Sequence, residues 1–506
     1  MIAVSAQETD PSRWRARAAL LLIVAAAAAL RLWQIGTGIP FALGSDEPAI
    51  MDHVVLMMKT GSLRPPFFDY PGLVFYLQFP VACLRFMYGA AAGEWTSLAG
   101  ARAADFYLWS RVVTALMGVS TVVLLYRVGL RWGTVQALLA AALLAAMPMH
   151  VRESRFVLTD VPMTFFVTLT FLLSVRANEQ RRLSAIALAA VAAGLATAIK
   201  YTAGVALLMP LLAACATAVP GRSRWSGVAL ALGCFAVGFV AGAPYVLLDL
   251  PGFLNGFAYL TTSYRPRTTD QEYGGWIYLK HLRLNLSSAA FVLMFAGLAV
   301  AAFRGLIQSD RVRWLMVAAF PVLFWYSIAD RSLIYGRYLL PLVPFVCLLI
   351  AIAVVWLHDV VSRVASPRIA QPVAVLLMVL VLAPAVLMSA GFVRTMHPET
   401  TQSAAYDWLR ANVPAGSRLV IENTALRFPA DLYPSLFVKR LEDKPASVYR
   451  ASGARYMIVM TDGEGTTGEA GNDAAVNTDA EYGQEVARFT STHRRPGPNL
   501  RIIELR

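Results

Sequence analysis

Charge is scarce in this chain of 506 residues, and so are the residues that build staples and metal centres. Only 15% of the residues are charged, against 58% hydrophobic, with four cysteines and six histidines. A charged fraction this low, with a mean hydropathy of +0.56, excludes an ordinary soluble domain. Cys83, Cys215, Cys234 and Cys347 lie within or beside apolar segments, without a CxxC pair or regular spacing. They give no sign of a disulfide framework or a zinc site. His53 and His150 stand alone, so no histidine cluster asks for a metal; no cofactor is implied, and a divalent metal stays open. Acids are outnumbered 31 to 44 by Lys and Arg, for a net charge of +13, yet no long basic tract concentrates that charge, and nucleic acid is not an expected partner. Internal repeats of the kind many transporters carry are also missing.

What the chain has in quantity is apolar runs. Residues 20–30 follow Arg13, Arg15 and Arg17, and the run continues through Ile35 without a convincing small-residue cleavage site. It reads as a retained first span rather than a signal peptide. Further runs near the length of about 20 residues that a bilayer requires are centred on 106–128, 133–150, 161–177, 184–200, 203–219, 226–247, 286–304, 313–329, 338–357 and 371–392. The expected fold class is a polytopic α-helical membrane protein of about eleven spans. Short connections alternate along it with Arg127 and Arg131, then Arg176, Arg181 and Arg182, then Arg222 and Arg224, then Arg304, Arg311 and Arg313, then Arg363 and Arg368. The positive-inside rule makes these cytoplasmic.

The opposite face then holds Asp46, Glu47, Asp52, Asp69, Glu153, Asp160, Asp249, Asp270, Glu272 and Asp330. Chemistry is therefore expected outside. The first outer loop, 36–105, is too long for a connector and contains segments at 48–60 and 70–90 that read as lying in the interface plane. A second large outer connection, 248–285, carries aromatics among charges in TTSYRPRTTDQEYGGWIYLKH. After Arg394 the hydropathy falls: 399–412 has a helical pattern, and SRLVIEN, ARYMIVMTD and NLRIIEL read as strands. The chain divides into a membrane part, 1–394, and a small soluble α/β domain, 395–506, outside by parity. Within the latter, DGEGTTGEAGNDAAVNTDAEYG reads as a loop whose acid spacing does not fit a regular calcium site.

Four outer features recur at span ends: SDEP after the first span, HVRESRFVLTDVP between the third and fourth, AIKYT after the fifth, and DRSLIYGRYLLP before the tenth. Together they resemble the integral-membrane glycosyltransferases of the GT-C class, specifically the protein mannosyltransferase and aminoarabinose transferase superfamily. The resemblance covers the membrane part. It implies a catalytic acid in the first outer loop and a lipid-phosphate-linked sugar as donor; the acceptor is expected, apart from the resemblance, in the cell envelope. The matching positions are Asp46 with Glu47 for the acid pair, Asp160 at the end of the second outer loop, Lys200 with Tyr201, and Arg337 with Tyr338. The large outer domain that protein mannosyltransferases carry between later spans is absent, so the acceptor does not carry over. Alanine- and arginine-rich spans with short loops suggest a bacterial inner membrane, active face in the periplasm.

The chemistry can be reasoned separately. A hydroxyl or amine attacking an anomeric carbon must lose a proton, which calls for a carboxylate base, and Asp46 is the choice. Adjacent side chains point apart, so Glu47 is expected to orient rather than duplicate it. The leaving lipid phosphate, with a second pKa of about 6, departs without an acid but needs positive charge, which Arg337, Lys200 and Arg331 supply. Structural alternatives stand beside each assignment. Asp46 serves equally to N-cap a helix opened by Pro48, and Asp160 to cap the next span. Lys200 has the option of snorkelling to the interface, and Arg152 and Arg155 of pairing with Glu153 and Asp160 or with lipid headgroups. Arg337, before YLLPLVP, has the least comfortable structural reading, since an arginine at that depth needs an anion. Two rivals from other classes are a transporter or flippase of lipid-linked sugars and a membrane assembly scaffold; the one-sided acids favour neither.

Overall fold

A computed structural model describes residues 11–41, 46–65, 67–216, 223–263, 266, 272–422, 433–438, 444–461, 482–492 and 494–505. Among these, eight helices are long and apolar enough to cross a membrane: Leu73–Ala91, Ala103–Gly129, Asp160–Gln180, Trp225–Gly242, Ser288–Ile307, Arg311–Ala329, Gly336–Val364 and Pro367–Thr395. Three further apolar helices, Thr134–Ala146, Leu183–Ile199 and Tyr201–Ala216, are shorter. The chain is a polytopic α-helical membrane protein. Two elements differ from the sequence expectation. Leu73–Ala91, read as interfacial, has the length and hydropathy of a span, because its one charge, Arg85, interrupts an otherwise apolar run. The first helix, Pro11–Leu32, does not reach that standard, since it carries Arg13, Arg15, Arg17 and Arg31.

By compactness the chain forms two units: Met1–Leu32, Leu63–Leu77 and Val113–Ala390 make the first, and Trp33–Ser62, Gln78–Val112 and Gly391–Arg506 the second. In the first, 89% of the residues in the most apolar 18-residue stretch of Gly336–Val364 are buried, which makes it the centre, whereas in the corresponding stretch of Pro367–Thr395 only 17% are. Small residues let helices approach there. Leu183–Ile199 and Arg224–Gly242 cross where Gly194 meets Gly238, and a Cβ on either would strike the other helix's backbone. Arg31, fully buried, donates to the carbonyls of Ala27, Leu144 and Ala145, and its Nη2 lies 2.9 Å from His150 Nδ1. The Leu144 and Ala145 carbonyls belong to the last turn of helix Thr134–Ala146, which carries partial negative charge, so a guanidinium is satisfied there without a carboxylate.

The second unit contains a five-stranded sheet of β1 (Arg418–Glu422), β2 (Ser435–Val438), β3 (Ala454–Thr461), β4 (Gly483–Phe489) and β5 (Asn499–Leu505), in the order β2-β1-β3-β5-β4. β1 is parallel to β2 and β3, and β5 antiparallel to β3 and β4. Alternation gives two apolar faces. Leu419, Ile421, Ile458 and Ile502 pack on one with helix Thr401–Asn412, and Val420, Met457 and Ile503 on the other with Tyr449. The helix starts where Thr400 Oγ1 accepts from Ser403 N while Ser403 Oγ accepts from Thr400 N, a reciprocal cap. The loop proposed between ARYMIVMTD and β4, 462–481, and Asp270 lie outside the described residues.

Candidate functional site

In the first unit, three chain breaks bring charges together. Asp160 is the first residue of helix Asp160–Gln180 and is fully buried. The N-cap position belongs to Thr159 instead, so the carboxylate is not a cap. Lys200 ends helix Leu183–Ile199 in extended conformation (φ −154°), which turns its side chain off the helix axis. Its Nζ donates to Asp160 Oδ1 at 2.8 Å and sits 4.0 Å above the Tyr338 ring. Arg337 lies in the 3-10 turn Gly336–Leu342, with Nε 3.7 Å from Asp160 Oδ2 and its guanidinium 4.4 Å above Tyr335. One buried carboxylate thus faces two cations, each of which also rests on an aromatic face. Lys200 is ion-paired rather than snorkelling.

Asp160, Lys200 and Tyr338 border a cavity of ≈ 190 Å³. Asp160, Lys200, Tyr201, Arg331 and Tyr338 all line it, together with Asp69, Tyr70, Thr202, Tyr278 and Ser327. Hydroxyls, aromatic rings and charges of both signs make a surface suited to a sugar and its phosphate. The Tyr201 hydroxyl donates to the Phe68 carbonyl at 2.9 Å, which fixes the segment bearing Asp69 and Tyr70 against the Lys200 turn. Phe68 is in turn packed edge-on to Phe253. Asp69 and Tyr70 were not among the residues singled out for the site. Their signal was available in PPFFDYPG, where an acid sits between aromatics in a short connection. Arg152 pairs with Glu153 at 2.8 Å, and Arg155 donates to the carbonyls of Leu30 and Arg31. Near this site His281, on helix Gly274–Asn285, is held below its ordinary pKa, chiefly by burial and then by the Arg152 charge.

Asp46 and Glu47 belong to the second unit. Helix Glu47–Thr60 begins beside Pro48; Asp46 occupies the N-cap position, but with helical dihedrals (φ −94°, ψ −10°) and no side-chain capping bond. Its capping role is therefore not realised. Glu47 is fully buried, and both its oxygens are taken by Arg111, Oε1 from Nε and Oε2 from Nη2, each at 2.7 Å. Arg111 Nη1 also donates to the carbonyls of Ile35 (3.0 Å) and Thr37 (2.7 Å). This bidentate pair staples the chain before Asp46 to the helix after it. Among the described residues no group of three or more His, Cys, Asp or Glu is arranged to hold a metal.

Residues 93–247 match the family described as dolichyl-phosphate-mannose-protein mannosyltransferase. No curated protein sequence matches the chain. The fold is shared with ArnT of Cupriavidus metallidurans, solved bound to undecaprenyl phosphate: TM-score 0.56 and 15% identity, over 97% of this chain and 98% of that one. It is shared too with the oligosaccharyltransferase of Archaeoglobus fulgidus, solved tethered to an acceptor peptide containing the NVT sequon: TM-score 0.56 and 12% identity, over 88% of this chain and 69% of that one. At such identities the shared property is the fold. The matched segment and that fold bear out the resemblance to the GT-C class and to its mannosyltransferase and aminoarabinose transferase superfamily.

Proposed function

We propose that this protein transfers a sugar from a polyprenyl-phosphate-linked donor to an acceptor hydroxyl or amine outside the cytoplasm, in a bacterial inner membrane with its active face and C-terminal domain in the periplasm. The observation that carries the reading is the cavity bordered by Lys200, Arg331 and Tyr338, with Asp160 holding Lys200 at 2.8 Å. Lys200, Arg331 and Arg337 bind the lipid phosphate, Arg by its planar fork and Lys as a point charge. Asp160 orients two of them and does not react, since one oxygen already accepts from Lys200. Tyr201 and Tyr338 shape the pocket for the sugar.

Asp46 is the proposed base. It takes the proton from the acceptor O–H or N–H as the acceptor atom bonds to the anomeric carbon, and the bond from that carbon to the phosphate oxygen breaks, its electron pair leaving with the polyprenyl phosphate. Glu47 acts through Arg111 to hold Asp46 in place, in keeping with the orienting role read from the sequence. The test is direct. Purified protein is incubated with a panel of radiolabelled undecaprenyl-phosphate sugars and cell-envelope fractions. Label should appear in one fraction with release of undecaprenyl phosphate; movement of intact labelled lipid across vesicles without release would instead mark a flippase.

A further inference from the structure

The segment that leads to Asp46 contains a residue that belongs to the core of the C-terminal domain. Phe41, the last described residue before Asp46, is 2% exposed. Its ring meets Tyr406 edge-on, centroids 5.6 Å apart, and it shares a single apolar cluster with Ala405 and Leu409 of helix Thr401–Asn412 and with Leu419 and Ile421 of β1. An aromatic on a connecting loop is ordinarily a surface residue; here it is a knob in the hydrophobic core of a sheet encoded at the far end of the chain. The same segment is gripped upstream at the Ile35 and Thr37 carbonyls and downstream at Glu47, all by Arg111. Of the described residues flanking Asp46, Ile35, Thr37 and Glu47 are thus held by one guanidinium and Phe41 by the C-terminal core.

We infer that Phe41 is a positioning residue, through which the C-terminal domain fixes the placement of Asp46; the inference rests on the proposed base role of Asp46. A base works only within hydrogen-bond reach of the proton it takes, and a displacement of about 1 Å caused at a distance lowers rate by about 10²-fold. The domain then acts as a clamp on the acid. Anything that loosens its core at Tyr406 lowers turnover without touching the phosphate site, whose cations belong to the other unit.

The test uses full-length protein, the undecaprenyl-phosphate sugar that the wild type turns over, and titration with undecaprenyl phosphate alone. Phe41→Ala should lower turnover at saturating donor by about 10²-fold while KM for donor and affinity for undecaprenyl phosphate stay within about twofold, and Phe41→Leu, which refills the core, should recover most of it. In an Asp46→Asn background Phe41→Ala should cost nothing further, because both act on one proton transfer. Should Phe41→Ala fail to fold, Tyr406→Ala, which removes the edge contact and leaves Phe41 itself in the core, should show the same split at smaller size. Turnover lost in Asp46→Asn but at wild-type level in Phe41→Ala and Tyr406→Ala overturns the clamp alone. A Phe41→Ala loss that persists in full in the Asp46→Asn background also overturns it, as general destabilisation. Wild-type turnover in Asp46→Asn overturns the base assignment, and the clamp with it.

Discussion

Replacing Glu47 by Gln keeps the side chain's size and removes its charge, and the expected result is a loosened segment before a lost reaction. The side chains of Glu47 and Arg111 are 0% and 1% exposed. Breaking such a buried pair costs about 3–5 kcal/mol. Arg111 would keep the Ile35 and Thr37 carbonyls, and the Gln oxygen still accepts one bond, so the lower end, about 3 kcal/mol, applies. With a factor of ten for each 1.4 kcal/mol, local opening becomes about 10²-fold more frequent. Amide hydrogen exchange in detergent reads this opening directly: peptides from 33–41 and 46–62 should exchange about 10²-fold faster, while those from Val343–Val364 should not change. Turnover should fall less than in Asp46→Asn, and Arg111→Lys, which loses the planar fork, should reproduce both effects. Wild-type exchange together with a loss of about 10²–10⁴-fold in turnover, the usual weight of a general base, would refute the reasoning and make Glu47 a reacting group.

Lys200→Met should weaken undecaprenyl phosphate binding by about 10–100-fold, the worth of about 1.5–3 kcal/mol for a charged hydrogen bond, measured by titration; unchanged affinity moves the phosphate site elsewhere. On the proposed roles, Asp69→Asn should raise KM for the donor and leave turnover near wild type, because Asp69 lines the cavity while Asp46 is the proposed base; the reverse split in steady-state kinetics would exchange their roles. Glu485 in β4 is held below its ordinary pKa of 4.5, first by the Arg488 hydrogen bonds, with Arg501 adding to them and burial opposing. A depressed carboxylate contributes stability that is fully present above its unfolded pKa and is lost as pH falls through the folded one. The C-terminal domain should therefore melt progressively lower in acid below about pH 4.5, and Glu485→Gln should flatten that slope.

Much of the cavity was legible because charges inside apolar runs are conspicuous. Asp160, Lys200 and Arg337 each interrupt a hydrophobic pattern at an element boundary, and a charge at that depth asks for a partner. Their mutual pairing was not legible, since it depends on how three helices pack. Asp69 escaped because its placement follows from one long-range bond, Tyr201 to the Phe68 carbonyl. Arg111 escaped for the opposite reason: it sat within an expected span, among many arginines, and only the fold reveals that it closes on Glu47. In the C-terminal sheet the strongly apolar strands β1, β3 and β5 could be read, whereas β2, with its central residues exposed, and β4, GQEVARF, lack an alternation that propensity alone would detect.

On the proposed reading, the balance of charge around the cavity matches the donor. Lys200 and Arg331 line the cavity with Asp160 and Asp69, and Arg337, 3.7 Å from Asp160, adds a third cation beside them, so these five groups carry one net positive charge. A polyprenyl-phosphate sugar is a phosphodiester with one negative charge, so it is neutralised on binding. As the sugar leaves, the phosphate becomes a monoester whose second ionisation lies at about pH 6, and the charge that builds on it meets cations already in position. That interaction is stronger in the transition state than in the bound donor, which is the condition for raising turnover rather than only affinity. It follows that undecaprenyl phosphate should bind more tightly as pH rises through about 6, while a non-transferable phosphodiester analogue, which reports the protein's own titrations, should not follow it. Arg331→Gln removes one cation and leaves the Asp160–Lys200 bond intact, so it should flatten the difference between the two ligands. Equal pH profiles for monoester and diester in the wild type would mean that the site does not sense the second charge, and that the leaving phosphate is stabilised by some other group.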